Sequence, residues 1–115
     1  MEKAGVQAVN INADGLIYQG KESIAKLALA HRMALIAYSR ETFAAGALMS
    51  YGPDNIAATH RAAAFADKIL KGAKPSELPV EQPTKIQYFI NLKVAKALGL
   101  TIPPSLLGRA DEVIQ

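Results

Sequence analysis

The distribution of apolar and polar residues in the first part of the chain predicts a strand, a helix and a second strand. Residues 6–11 alternate between apolar and polar side chains and then reach a turn at Gly15, which is typical of a short strand. Residues 22–31 carry apolar side chains at helical spacing, and residues 33–38 form an apolar run of the length of a buried parallel strand. This order predicts a βαβ unit, whose crossover is normally right-handed.

The pattern next predicts a short helix that begins near Ser39, followed by a strand over residues 47–51. Gly52 and Pro53 interrupt this strand, and residues 54–71 form the longest predicted helix. Its apolar stripe consists largely of alanine, which indicates close approach to another surface.

The last part of the chain is predicted to begin with a stiff connector, because residues 74–84 contain three prolines. A strand over residues 85–92 and a helix up to residue 98 follow, and a final helical turn is predicted to carry the apolar side chains of residues 106–114. Together the elements predict an α/β fold with a mainly parallel sheet of about four strands and flanking helices. So few strands leave apolar edges exposed unless a partner chain covers them.

Composition limits the classes of protein to consider. The chain has 115 residues, half of them hydrophobic, which is enough for one small domain with a core. The net charge is +3 and the basic residues are scattered, so we expect solvated faces and no nucleic-acid partner. The absence of cysteine excludes disulfides and thiolate zinc sites.

The sequence contains no apolar run of the roughly 18 residues that a membrane-spanning helix needs, so we predict no such helix. Residues 1–5 lack the apolar middle of a signal peptide. The chain is therefore expected in the cytoplasm if it is complete.

Polar residues follow the predicted strands at the edge where ligands of open parallel sheets bind. Asp14 is a candidate for binding a ligand ammonium group, or else a turn residue before Gly15. Arg40 is a candidate for a bidentate contact with a carboxylate, or else an exposed charge at a helix start. Ser39 either donates to a ligand or caps its helix.

Two tyrosines occupy similar positions. Tyr38 and Tyr51 are candidates for stacking on an aromatic ligand, and core packing is the alternative for Tyr38. His31 and His60 have no further metal ligands at matching spacing, so no metal site is predicted. No phosphate loop or nucleophile elbow occurs, and we predict no cofactor and no catalytic residue.

Several segments resemble the carboxy-terminal third of ABC transporter substrate-binding proteins of the tryptophan/tyrosine-uptake type. The segments are LMSYGP at residues 48–53, DKILKGAKP at 67–75, LPVEQPTK at 78–85, INLK at 90–93, AKALGLTIPPSLL at 95–107 and RADEVI at 109–114. Each segment alone is weak, but their order and spacing together are fairly specific. The resemblance is strong from residue 48 onward and looser before it.

The resemblance implies a periplasmic-binding-protein fold, in which two α/β lobes enclose a ligand, and a periplasmic location. Residues 1–52 would then be part of the second lobe, and residues 53–73 a helix of first-lobe type. Residues 74–115 would hold the connector, the final strand, a helix and the tail. Gly52 and Pro53 would act as a hinge between the lobes.

Three hypotheses about function follow. The first is a solute-binding component, whole or partial, that delivers a small amino-acid-like ligand to an ABC permease. The second is a half-domain that forms a homodimer, for instance by swapping its long helix onto a second copy. The third, a small cytosolic α/β enzyme, is the least favoured because no set of titratable groups converges.

Overall fold

Strands and helices alternate along residues 5–115, the part of the chain that the computed structural model describes. The elements are β1 (Ala8–Asn10), α1 (Gly15–Gln19), α2 (Lys21–Ala30), β2 (Ala34–Ala37), α3 (Arg40–Ala44), β3 (Met49–Pro53), α4 (Asn55–Leu70), a 3-10 turn (Pro75–Glu77), β4 (Ile86–Asn91), α5 (Leu92–Leu98), α6 (Pro104–Leu107) and β5 (Glu112–Ile114). The prediction about a signal peptide falls almost wholly on residues 1–4, which lie outside the described residues.

The five strands form one sheet in the order β1-β2-β3-β4-β5. β1, β2 and β3 are parallel, β4 runs antiparallel to β3, and β5 runs parallel to β4. This confirms the predicted α/β class and the mainly parallel sheet. β5 was not predicted: Val113 and Ile114 belong to this strand and not to a helical turn. A strand of three residues is too short for alternation to reveal.

The main hydrophobic cluster lies on one face of the sheet, and Ile90 of β4 is buried on the other. In the cluster, Ala25 and Ala28 of α2 pack against Leu35 and Ala37 of β2. The rings of Phe43, on α3, and Phe89, on β4, meet with their centroids 5.5 Å apart. These elements, together with α1, α5, α6 and the remaining strands, are called the lobe below.

Among the described residues 5–115, polar side chains cap the starts of four helices, α1, α3, α4 and α5. The side chain of Ser39 accepts from the backbone N–H of Thr42 at the start of α3, and that of Asn91 accepts from Val94 at the start of α5. Gly99 ends α5 in the left-handed conformation, with φ 72°. The caps predicted at Ser39 and Asn91 are therefore present.

Helix α4 and the connector that follows it, residues 71–85, are called the arm. α4 contains no buried residue over its full described length. The radius of gyration of the chain is 17.7 Å, compared with about 13 Å for a compact domain of this length. The chain is accordingly elongated, 56 Å along its longest axis and 20 Å along its shortest.

Candidate functional site

Arg40 is the first residue of α3, immediately beyond the carboxyl end of β2. Its position is fixed by Ser39, whose side-chain oxygen accepts from the Thr42 N–H at 3.3 Å and lies 3.1 Å from the Thr42 hydroxyl. Only 2% of Ser39 is exposed. The hydroxyl of Ser39 therefore acts as a helix cap in this structure.

The guanidinium group of Arg40 is accessible and held on two sides. Its Nη2 lies 2.8 Å from Oε2 of Glu112 on β5, and its carbon lies 5.1 Å from the centre of the Phe89 ring. About half of the side chain, 52%, remains exposed. The single contact with Glu112 leaves the other N–H groups of Arg40 available, because a guanidinium group carries five donors.

Arg40 borders a depression of about 170 Å³ between the start of α3 and the start of α4. The depression is also lined by Glu41, Pro53, Asp54, Asn55, Ile56 and Gln87. A cation, carboxylates and amide groups thus face one space. Of the predicted site residues, Arg40 and Pro53 come together here.

Gly52 lies directly against the backbone of Tyr38. A Cβ atom at position 52 would overlap the carbonyl oxygen of Tyr38. Gly52 pairs with Gln87 and Pro53 pairs with Ile86 across β3 and β4. The glycine is therefore required by close packing between two chain segments, whatever freedom of motion it also provides.

Tyr51 points away from Arg40. Ser50 pairs with Phe89, and these two side chains lie on the core face of the sheet, where Arg40 covers Phe89. Successive side chains of a strand alternate between faces, so Tyr51 lies on the opposite face, where its ring meets that of Tyr88. The structure thus separates two residues that the sequence placed in one candidate site.

Asp14 follows β1, the edge strand farthest from β4 and β5. Its Oδ1 accepts from the backbone N–H groups of Leu16 and Ile17, at 2.8 and 3.1 Å. The carboxylate therefore caps α1. Its predicted contact with a ligand ammonium group stays a prediction.

Asp54 links the two chain segments that connect the lobe to the arm, a role that the sequence analysis did not assign. Only 7% of Asp54 is exposed. Its Oδ1 accepts from the Ala57 N–H and caps α4, while its Oδ2 lies 2.7 Å from Nζ of Lys85 and accepts from the Gln87 amide at 3.2 Å. The hydrogen bond from Lys85 is the main reason that the pKa of Asp54 lies below its ordinary value.

A second ion pair joins α4 to the connector. The Nε and Nη2 of Arg61 donate to the two carboxylate oxygens of Glu81, which lowers the pKa of Glu81. Between this pair and the Asp54–Lys85 pair lies a depression of about 390 Å³. Because its charged groups are already paired, this depression is part of the structure of the arm and a poor candidate for ligand binding.

Two further properties concern the described residues 5–115. They contain no group of three or more metal-binding side chains. None of their helices is both long and apolar enough to cross a membrane.

Comparison with known proteins identifies the family of this chain. The sequence pattern that defines the family described as ABC transporter substrate binding protein matches residues 1–114. The chain belongs to this family. Its members are substrate-binding proteins and not enzymes. A search of curated proteins found no match.

Solved structures of other proteins show the same fold. The ABC domain from Streptococcus pneumonia in complex with L-Trp is 27% identical, with a TM-score of 0.89 over 98% of this chain and 38% of that chain. A conserved domain protein from Vibrio cholerae is 24% identical, with a TM-score of 0.88 over 93% of this chain and 36% of that chain.

The ligand-free, open form of a substrate binding protein with adhesive properties from Clostridium difficile is 23% identical. Its TM-score is 0.63 over 94% of this chain and 36% of that chain. This chain thus spans only 36% to 38% of the length of the three solved chains.

Proposed function

We propose that the chain is a solute-binding component of an ABC importer, or part of one, that captures a small amino-acid-like ligand. The family match over residues 1–114 carries this proposal. A solved relative that is 27% identical was determined with L-Trp, which supports an amino acid as the ligand. The family normally acts outside the cytoplasm, so we also propose an extracytoplasmic location and an ABC permease as partner.

In this proposal the guanidinium group of Arg40 binds the ligand carboxylate. Arg40 is half exposed, lies beyond the carboxyl end of a parallel strand and is stacked on Phe89, so its guanidinium group is already oriented. Asp14, Tyr38 and Ser39 remain predicted contacts of this ligand. Tyr51 also stays a predicted ligand contact, but it lies on the face of the sheet opposite Arg40.

The ligand is proposed to be enclosed from two sides. The depression beside Arg40 measures about 170 Å³, whereas pockets for small molecules usually measure about 300–1,000 Å³. An amino acid therefore needs a second wall. A second lobe that closes about Gly52 and Pro53 would provide it.

The exposed helix of the arm also supports the proposal that a second lobe packs on this chain. α4 is an ordered amphipathic helix without a buried residue, as expected of a helix that packs on another body. We therefore retain the proposed division into residues 1–52 as part of the second lobe, 53–73 as a long helix of first-lobe type, and 74–115 as the connector, final strand, helix and tail. The two crossings are β3 into α4 and the connector into β4.

Calorimetry of the chain with a panel of amino acids that includes L-Trp tests the proposal. We expect heat with at least one of them, and a loss of affinity of about tenfold or more in Arg40→Gln, because a charge-assisted hydrogen bond is removed. Lys26→Gln, an exposed charge on α2, is the matched control. A folded sample that gives no heat with any amino acid contradicts binding by this chain.

The unburied helix α4 also favours a second candidate, a homodimer that swaps or pairs this helix. Leu70 and Ile56 of α4 are 87% and 65% exposed, and pairing of this helix with a second copy would give them a surface to pack against. Light scattering at increasing concentration is expected to show twice the monomer mass. A strict monomer at the highest concentration contradicts this candidate.

A further inference from the structure

The sheet face opposite the main hydrophobic cluster carries a cavity that is separate from the depression beside Arg40 and from the arm. It measures about 390 Å³ and is lined by Tyr51, Ile86, Tyr88, Leu106, Arg109 and Asp111. We call it the tyrosine pocket. Its residues come from β3, β4, α6 and the loop before β5.

Two aromatic rings form one wall of the tyrosine pocket. Tyr51 and Tyr88 are direct partners across the antiparallel pair of β3 and β4, and their ring centroids lie 6.2 Å apart at an angle of 69°. This edge-to-face arrangement leaves Tyr51 67% exposed. An exposed ring held by a second ring is a rigid apolar surface on which a planar group can stack.

The tyrosine pocket contains one cation, Arg109, and one carboxylate, Asp111. The carboxylate of Asp111 accepts from the Tyr88 N–H at 2.7 Å, and the Asp111 N–H donates to the Tyr88 carbonyl at 2.8 Å, so Asp111 holds β4 to the tail. Arg109 is exposed and forms no ion pair with any residue of the described range 5–115. The pocket therefore offers a cation whose donors are available, beside an aromatic wall.

We propose that the tyrosine pocket is a second binding site, which takes a small aromatic carboxylate. The ring of the ligand packs against Tyr51 and Tyr88, and its carboxylate accepts hydrogen bonds from Arg109. The site is separate from the depression beside Arg40, because Tyr88 and Phe89 point to opposite faces of the sheet.

Phenylacetate is a suitable probe because it combines one ring with one carboxylate. A nuclear magnetic resonance titration of the whole chain is expected to shift the amide signals of Tyr51, Tyr88 and Arg109. For a ligand of this size we expect a Kd on the order of 1 mM. Phenylacetamide, which lacks the charge, is expected to bind about tenfold more weakly.

Two variants test separately how the pocket recognises the carboxylate and the aromatic ring of the ligand. Arg109→Gln should weaken phenylacetate about tenfold and leave phenylacetamide unchanged. Tyr51→Ala should weaken both probes by roughly threefold to tenfold, because the stacking surface is lost. The matched controls are Lys26→Gln and Tyr18→Ala, an exposed charge and a partly exposed ring elsewhere in the chain, and they should bind phenylacetate as the parent does.

Two results would overturn the proposal. One is the absence of shifts at the pocket residues when phenylacetate is added about tenfold above the expected Kd. The other is equal binding of the acid and the amide, together with an unaffected Arg109→Gln variant, since this indicates an apolar patch without anion recognition. Neither result bears on amino-acid binding at Arg40, which is tested with different probes and a different variant.

Discussion

The lobe and the arm are stabilised by different interactions. In the lobe, Phe43, Leu35 and Phe89 are almost fully buried and pack between the sheet and its helices. In the arm, α4 has no buried residue and is joined to the connector by the pairs Asp54–Lys85 and Arg61–Glu81. Burial contributes most of the stability of a domain, whereas exposed ion pairs contribute little. The lobe is therefore stabilised mainly by burial, whereas α4 leaves large apolar side chains such as Leu70 and Ile56 exposed.

Removal of a core side chain should have the largest effect and should separate the two regions. Phe43→Ala leaves a cavity under α3 and is expected to cost about 3–5 kcal/mol of the free energy of unfolding, measured by urea denaturation. Phe65→Ala on α4 is the matched substitution in the arm, and we expect a loss of about 1 kcal/mol or less. Similar losses in both variants would mean that the arm belongs to the cooperative core.

The junction between the two regions is the next test. Gly52→Ala places a Cβ onto the Tyr38 carbonyl oxygen, and the strands must separate to accommodate it. We expect a loss of about 3 kcal/mol by the same measurement. Gly15 has open space around its Cβ position and an ordinary φ, so Gly15→Ala should be neutral or slightly stabilising. A neutral Gly52→Ala would show that the close approach to Tyr38 is not maintained in solution.

Sequence reasoning predicted the elements of both regions better than the contacts between distant residues, because the elements depend on local sequence. The helix starts at Ser39 and Asn91 and the main strands follow from side-chain periodicity and caps, which depend on neighbouring residues. The role of Asp54 depends on Lys85 and Gln87, which lie more than thirty positions away. No periodicity reveals such a contact, although an aspartate after Gly52-Pro53 at the start of a long helix was a usable signal for its capping role.

Sequence reasoning was limited in the same way at the candidate site, because contacts between distant residues are not visible in the pattern. Arg40 was found because it follows a buried strand, and the structure leaves it accessible as that argument requires. The separation of Tyr51 from Arg40 follows from the alternation of β3 and from its pairing with β4. The alternation was visible in the sequence, but which face carries the core depends on tertiary packing.

Removal of the helix cap that positions Arg40 should have a smaller effect on the free energy of unfolding. Ser39→Ala removes the hydrogen bond to the Thr42 N–H and should cost about 1 kcal/mol in urea denaturation. It should also weaken any ligand that depends on Arg40, measured by the calorimetry described above. Ser23→Ala, an exposed serine within α2, is the control and should change neither quantity. Unchanged stability in Ser39→Ala would show that the start of α3 is fixed by packing alone.

The smallest effect concerns the arm and depends on pH. The pKa values of Asp54 and Glu81 are lowered by hydrogen bonds from Lys85 and Arg61, and that of Lys85 is raised by Asp54. A lowered carboxylate pKa stabilises the folded arm above the unfolded pKa, and this contribution is lost as the pH falls below about 4. The raised pKa of Lys85 acts at the other end, where its contribution is lost as the pH rises beyond about 10.

The α4 amide protons are expected to be protected from hydrogen exchange. This protection, corrected for the intrinsic exchange rate, should stay constant between about pH 4 and about pH 10 and should decrease at lower pH. Protection of β2 and β3 should decrease less over the same range, because the core that holds them contains no titrating group. The double variant Asp54→Asn, Glu81→Gln should show low protection of α4 already at neutral pH and little further loss in acid. If α4 in this variant keeps the acid response of the parent, the two ion pairs are not what joins the helix to the connector.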